Sequence, residues 1–231
     1  MQMVRSIGRI FPEPGRFGRL AVICALAAAG NALLMMLRHF LWVPLFVDTV
    51  FTIAVAFALG PLPAIAVALL TWVADGAIPI GTQPFHPFVI VAIVEALLVW
   101  RLRPISPWPS FRAQDPALPE RRPVHAVLVS SQLLVLYVIC VAVASIFGGA
   151  ISYFYYTVWN RDMSYMFTAV NIFRRNFLLG GSPVFLADLL SRIQVNVVDR
   201  FIVIFGGYFV SLLITAFVRP KAGAQGIAAG G

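Results

Sequence analysis

The chain has 231 residues, of which 61% are hydrophobic and 11% charged, and its mean hydropathy is +0.91. A water-soluble domain carries about 25% charged residues, so a soluble globular fold is excluded and a polytopic membrane protein, whose solvent is lipid, is expected. The net charge of +8 does not indicate a nucleic-acid binder, because basic residues collect in the cytoplasmic segments of membrane proteins.

Residues 1–19 form a basic tail with Arg5, Arg9, Arg16 and Arg19. The apolar run that follows continues through NALLMML, so residues 20–37 read as a retained first span rather than a cleaved leader. No lipoprotein-type cleavage box precedes Cys24, because Ile23 is too large. Cys24 and Cys140 both sit inside apolar runs and read as buried hydrophobes. Spans two and three are expected at 45–60 and 61–78, folded back at Gly60-Pro61-Leu62-Pro63, since proline removes an amide donor and clashes with the preceding turn. Asp48 and Asp75 then lie at the same height on the two arms. Span four, 87–100, is short and contains Glu95. A loop over 101–125 carries six prolines and five arginines. Span five is expected at 126–147. Residues 148–196 mix aromatic and polar residues and read as short interfacial helices, one starting at Ser182-Pro183, with Asp188 and Arg192 on one face. The last span covers 197–218, and 219–231 is a tail.

The expected fold is therefore an all-α membrane protein, a bundle of six transmembrane helices with short interfacial helices between spans five and six. The tails and the 101–125 loop hold eleven basic residues against six on the other side. The positive-inside rule puts both termini in the cytoplasm and 148–196 outside. Asp48, Asp75, Asp199, Arg200 and Arg38 then all fall at the outer ends of spans, and Glu95 alone falls near mid-membrane. Charge inside a membrane is costly and faces the bundle, pairs, or marks a ligand path. Asp48 and Asp199 have two readings: they pair with Arg38 or Arg200 to lock helices, or they line a site. Asp75 either caps a helix end or joins them. Arg174, with Arg175, reads as a lipid anchor or a ligand clamp, and Asn171 lies beside it. The aromatic run Tyr153–Trp159 suits an interfacial belt. Ala21, Ala25 and Ala29 form a small-residue stripe that lets another helix approach closely.

The sequence has no GxxxxGK[ST] loop, HExxH, GxSxG or CxxC, and its single lysine is Lys221. No enzyme, metal site or cofactor is expected, and any ATP is handled by partners. The segments VPLFVDTVFTIAVAFALGP (43–61), the small-residue helix after it to Asp75, and VNVVDRFIVIFGGYFVSLL (195–213) resemble the substrate-binding S-components of energy-coupling-factor transporters, the prokaryotic importers of vitamins and micronutrients. The resemblance covers the chain in span count and about 40 residues in detail.

It implies a solute-binding subunit of the inner (cytoplasmic) membrane that depends on a coupling membrane subunit and an ATPase pair. The alanine stripe would dock to the coupling subunit. The pocket would lie at the outer ends of the spans, with Asp48, Asp75, Asp199 and Arg200 as gate or pocket residues, Glu95 as floor, and Arg38, Asn171 and Arg174 as further candidates. The long 148–196 segment departs from the family pattern. A membrane sensor module that signals to a partner is the second reading. A proton-coupled secondary transporter is the third, and it lacks visible repeats or broken helices in the sequence.

Overall fold

The computed structural model describes residues 14–41, 45–77, 87–103, 122–159 and 168–218. These are helical, and no strand occurs among them. Helix α1 (Pro14–Leu41) is followed by one 3-10 turn (Val47–Thr49), α2 (Val50–Ala58), α3 (Pro61–Ala77), α4 (Val89–Leu102) and α5 (Arg122–Ser152), which continues as a π turn (Tyr153–Val158). Then come α6 (Thr168–Leu179), α7 (Val184–Phe201), a second π turn (Ile202–Gly206) and α8 (Gly207–Val218).

Among the described residues, three helices are long and apolar enough to cross a membrane: Phe17–Leu37, Ala126–Ser152 and the continuous rod Val184–Val218 of 35 residues. A membrane needs about 20 residues per helix. Helices α2, α3 and α4 have 9, 17 and 14 residues, so helix length supports three of the six expected spans and does not confirm the other three. Even with its 3-10 turn, α2 rises about 18 Å, little more than half of a hydrocarbon core of about 30 Å. The last span also begins earlier than hydropathy placed it, because α7 runs unbroken from Val184 through Asp199-Arg200. Ser182-Pro183 does precede that helix, but Pro183 rather than Ser182 takes the N-cap position, without a side-chain cap bond; the backbone bond from Ala187 N–H to the Pro183 carbonyl opens the first turn.

The hairpin turn forms as its residues dictate. Gly60 takes φ +100°, a backbone conformation that side chains disfavour, and Pro61 opens α3 where its missing amide costs nothing. At this turn end Arg103 Nη1 donates to the Phe57 carbonyl at 3.0 Å, tying α4 to α2. The apolar core fills the same end. It joins Cys24, Ala27 and Ala28 of α1, Ile53 to Phe57 of α2, Val67 of α3, Ala96 and Val99 of α4, Leu133, Leu136 and Cys140 of α5, and Ile204 and Tyr208 of the last rod.

Further from the turn the interior becomes polar. Asn31 of α1 is fully buried and joins three helices. Its Nδ2 donates to Thr52 Oγ1 at 2.9 Å and to Thr71 Oγ1 at 3.1 Å, and its Oδ1 accepts from the Phe51 amide at 3.0 Å. That amide belongs to the first turn of α2, which has no partner within its own helix. Asn31→Ala should destabilise the bundle by about 1–3 kcal/mol, the cost of leaving buried polar groups unmet; thermal unfolding of the purified protein measures it.

The surface is the inverse of a soluble protein's. Leu26, Leu33 and Phe40 of α1, Leu134, Val135 and Val138 of α5, and Phe209, Leu213 and Phe217 of α8 are all exposed. Helix α7 shows the inversion within one element. Of its eight buried residues six are polar: Asp188, Ser191, Arg192, Asn196, Asp199 and Arg200. Val184, Phe185, Leu186, Val197, Val198 and Phe201 face out. Apolar side chains outward and charges inward fit a chain embedded in lipid.

The inward stripe 188-192-196-200-204-208 repeats every four residues. An ideal α-helix turns about 400° in four residues, so such a stripe drifts about 40° per step. The π turn at Ile202–Gly206 widens the helix and offsets part of that drift, so Arg200 before it, Ile204 within it and Tyr208 after it all remain buried.

Candidate functional site

The polar interior lies at the end of the bundle remote from Gly60 and has two levels. The first centres on Arg200 of α7. Its Nη1 donates to Glu95 Oε2 of α4, and its Nη2 donates to Asp199 Oδ2 at 2.5 Å. The same guanidinium approaches the start of α2, with Nη1 at 3.4 Å from Thr49 Oγ1 and Nη2 at 3.3 Å from the Phe46 carbonyl. Relative exposures of 1% for Glu95, 0% for Asp199 and 4% for Arg200 place all three out of solvent. Asp48, in the 3-10 turn, lies close enough to act electrostatically on each of them, and Cys140 of α5 lies within reach of Glu95 and Arg200.

Several local features bring these residues together. The short α2 ends at this level, so its positive N-terminal dipole points at the carboxylates. Residues 199 and 200 are neighbours on one helix, about 100° apart, and both are buried because three elements close around them. Tyr137 of α5 donates to the Val197 carbonyl at 2.9 Å, just before the π turn. Gly207 lets α8 lie against α2: a Cβ there would come within 2.9 Å of Ile53 Cγ2 and 3.1 Å of the Val50 carbonyl. Close packing at Gly207 therefore holds the beginning of α2 against the rod that carries Arg200.

The second level lies two helical turns further along α7. Arg192 Nη2 donates to Ser152 Oγ at 2.6 Å, and its guanidinium stacks on Phe88 at 4.5 Å and more loosely on Phe46 at 5.7 Å. Arg174 of α6 donates through Nε to Asp188 Oδ1 at 2.7 Å. Between the levels, Asn196 Nδ2 donates to Ser145 Oγ at 3.0 Å. Phe46 belongs to both levels, since its carbonyl faces Arg200 and its ring faces Arg192. The two levels are oppositely unbalanced. Among the described residues, the first sets Glu95, Asp199 and the nearby Asp48 against one arginine, and the second sets one aspartate against two.

Of the residues marked in the sequence, Asp48, Glu95, Asp199 and Arg200 come together in one cluster. Glu95 is a direct partner of Arg200 rather than a separate floor, and Asp199 sits mid-helix rather than at the mouth of a span. Asp75 is buried near the end of α3, one turn beyond the Thr71 that Asn31 binds. Asn171 and Arg174 lie on α6, and Arg174 serves the second level. Arg38 falls in the last turns of α1, with its side chain outside the described residues. His39 has the same status, and His86 lies in an undescribed segment. Ala21, Ala25 and Ala29 are exposed along α1, whereas Cys24, Ala27, Ala28 and Asn31 face the bundle.

Sequence reasoning missed Arg192, Ser152, Asn196, Phe46 and Phe88 as site residues. It placed Asp188 and Arg192 on one face of a short helix lying against the membrane surface or dipping into the bundle; in the structure both are buried and Asp188 bonds to Arg174. The signal was available in the four-residue spacing of Asp188, Arg192, Asn196 and Arg200, which assigns one buried polar face to a long helix. No family model matches the sequence, and neither curated proteins nor solved structures give a match.

Proposed function

We propose that the chain is the solute-binding membrane subunit of an energy-coupling-factor-type importer for a vitamin or similar micronutrient, with Arg200, Glu95, Asp199 and Asp48 as its binding centre. The observation that carries this reading is the buried ion cluster at the end of α2, a helix too short to cross the bilayer. Discontinuous helices that end at charged groups inside a bundle are a recurring way for membrane proteins to hold solutes, and π turns gather at functional sites. Burying two carboxylates and one guanidinium is poor design for stability alone, because desolvation offsets much of the attraction.

In this reading a solute reaches the cluster from the side of the Arg192 level. Phe46 and Phe88 line the approach, and Arg192 holds both rings against the bundle. The exposed alanine stripe of α1 gives the coupling subunit a flat surface. Energy comes from the partner ATPases. Co-expression with such an ATPase pair and coupling subunit should give a complex that co-purifies and an uptake activity that needs ATP. A chain that never associates with them and takes up nothing in their presence contradicts the proposal. A sensor module is the second reading, favoured by the single rod Val184–Val218, which links Arg192 at one end of the bundle to the other end without a joint.

A further inference from the structure

We infer that the solute carries a positive charge and donates N–H bonds, as a protonated amine or amidine does, and that this group binds the free oxygens of Glu95 and Asp199. The inference rests on reading this cluster as a solute site. Each carboxylate gives one oxygen to Arg200. Their second oxygens, Glu95 Oε1 and Asp199 Oδ1, are buried and meet no donor in hydrogen-bond geometry among the described residues, although the Phe46 backbone amide approaches the Asp199 carboxylate. A buried carboxylate oxygen without a donor is costly, so both call for donors from outside the chain. Both carboxylates share one guanidinium, Oε2 on Nη1 and Oδ2 on Nη2, which holds the two side chains beside each other.

Charge points the same way. Among the described residues, three carboxylates face one guanidinium at this level, a local excess of negative charge. The nearest arginine along α7 is Arg192, eight residues or about 12 Å further on, where it bonds to Ser152 and stacks on Phe88 and Phe46. Its charge softens the local field without giving the two oxygens a donor. Among the described residues no three His, Cys, Asp or Glu side chains converge to hold a metal ion, so the donor set suits a larger cation that hydrogen-bonds. A tetrahedral ammonium or a planar amidinium meets both oxygens; an anion would meet Glu95, Asp199 and Asp48 as like charges.

The test uses the whole protein alone, in lipid nanodiscs, with methylammonium, tetramethylammonium and potassium chlorides at equal ionic strength. Two readouts are taken: the thermal midpoint, and the rate at which a hydrophobic carbodiimide modifies Glu95, followed by peptide mass spectrometry. Methylammonium is expected to raise the midpoint saturably and to slow modification of Glu95 at least tenfold at saturation. Tetramethylammonium has the charge without the N–H and should do neither. Equal responses to all three salts, or no response to any, overturn the inference. Glu95→Gln should abolish the midpoint response; if that variant does not fold, protection of wild-type Glu95 decides. Methylammonium protection without ATPase association would sink the importer reading and leave this inference standing, and association without protection would do the reverse.

Discussion

Arg200→Met should cost the protein about 3–5 kcal/mol, the usual loss when one partner of a buried ion pair is removed. The guanidinium is the centre of the far half of the bundle: Glu95 of α4, Asp199 of α7 and the Phe46–Thr49 entry to α2 all bond to it. Without it two buried carboxylates lose their cation, and α2 loses its attachment to α7. The loss should be coupled to Glu95. In the Arg200→Met, Glu95→Gln double variant the orphaned charge at position 95 is gone, so the combined cost should fall short of the sum of the single costs by about 0.5–3 kcal/mol. Arg200→Lys should rescue only in part, because one ammonium cannot fork between two carboxylates as a guanidinium does. Unfolding of the single and double variants in detergent gives all three numbers. Additive single effects would mean that the pair is a contact without energetic weight.

The second large effect is steric. Gly149 lets α5 meet α7 backbone to backbone: an added Cβ would lie 2.9 Å from Leu189 Cα and 3.3 Å from its amide nitrogen. Backbone cannot swing aside as a side chain can, so the helices must separate. Gly149→Ala should cost about 1–3 kcal/mol through overpacking, and Gly149→Leu more. The same pair carries the Ser152–Arg192 and Ser145–Asn196 bonds, which are stretched by any such separation. Gly18→Ala is the control. Nothing lies within 4 Å of a Cβ at that position, and replacing a helical glycine there should stabilise by up to about 1 kcal/mol. If the two alanine substitutions behave alike, α5 and α7 do not pack as described.

What the sequence disclosed, and what it hid, has a physical explanation. Composition settles the solvent, so an all-helical membrane chain is legible at once. The Gly60-Pro61 turn is legible because it depends on local backbone restrictions alone. Glu95 stands out because it interrupts an apolar run, and Asp199-Arg200 because it precedes one. Their pairing is not legible, since it needs α4 and α7 to be neighbours, which is a property of the bundle.

Span count is not legible for a related reason. Hydropathy registers apolar length without registering where the helix stops, and the residues before Val47 are as apolar as those after it. The region 184–196 misled in the opposite direction. Its mean polarity suggests a surface helix, yet the polar residues recur every four positions and face inward. Averaged composition hides that pattern, and periodicity reveals it.

The opposite imbalance of the two levels gives the site a direction. Positive charge at Arg174 and Arg192 lies remote from Gly60, and negative charge at Asp48, Glu95 and Asp199 lies deeper, with Phe46 between them. The central claim is that this depth exists for a solute. Native mass spectrometry of the protein extracted from its own membranes tests it most directly. The account predicts one small-molecule adduct of fixed mass on the wild-type chain, absent from a folded Glu95→Gln variant. A bare chain mass in both proteins, even after incubation with a panel of cationic and neutral vitamins, would contradict it.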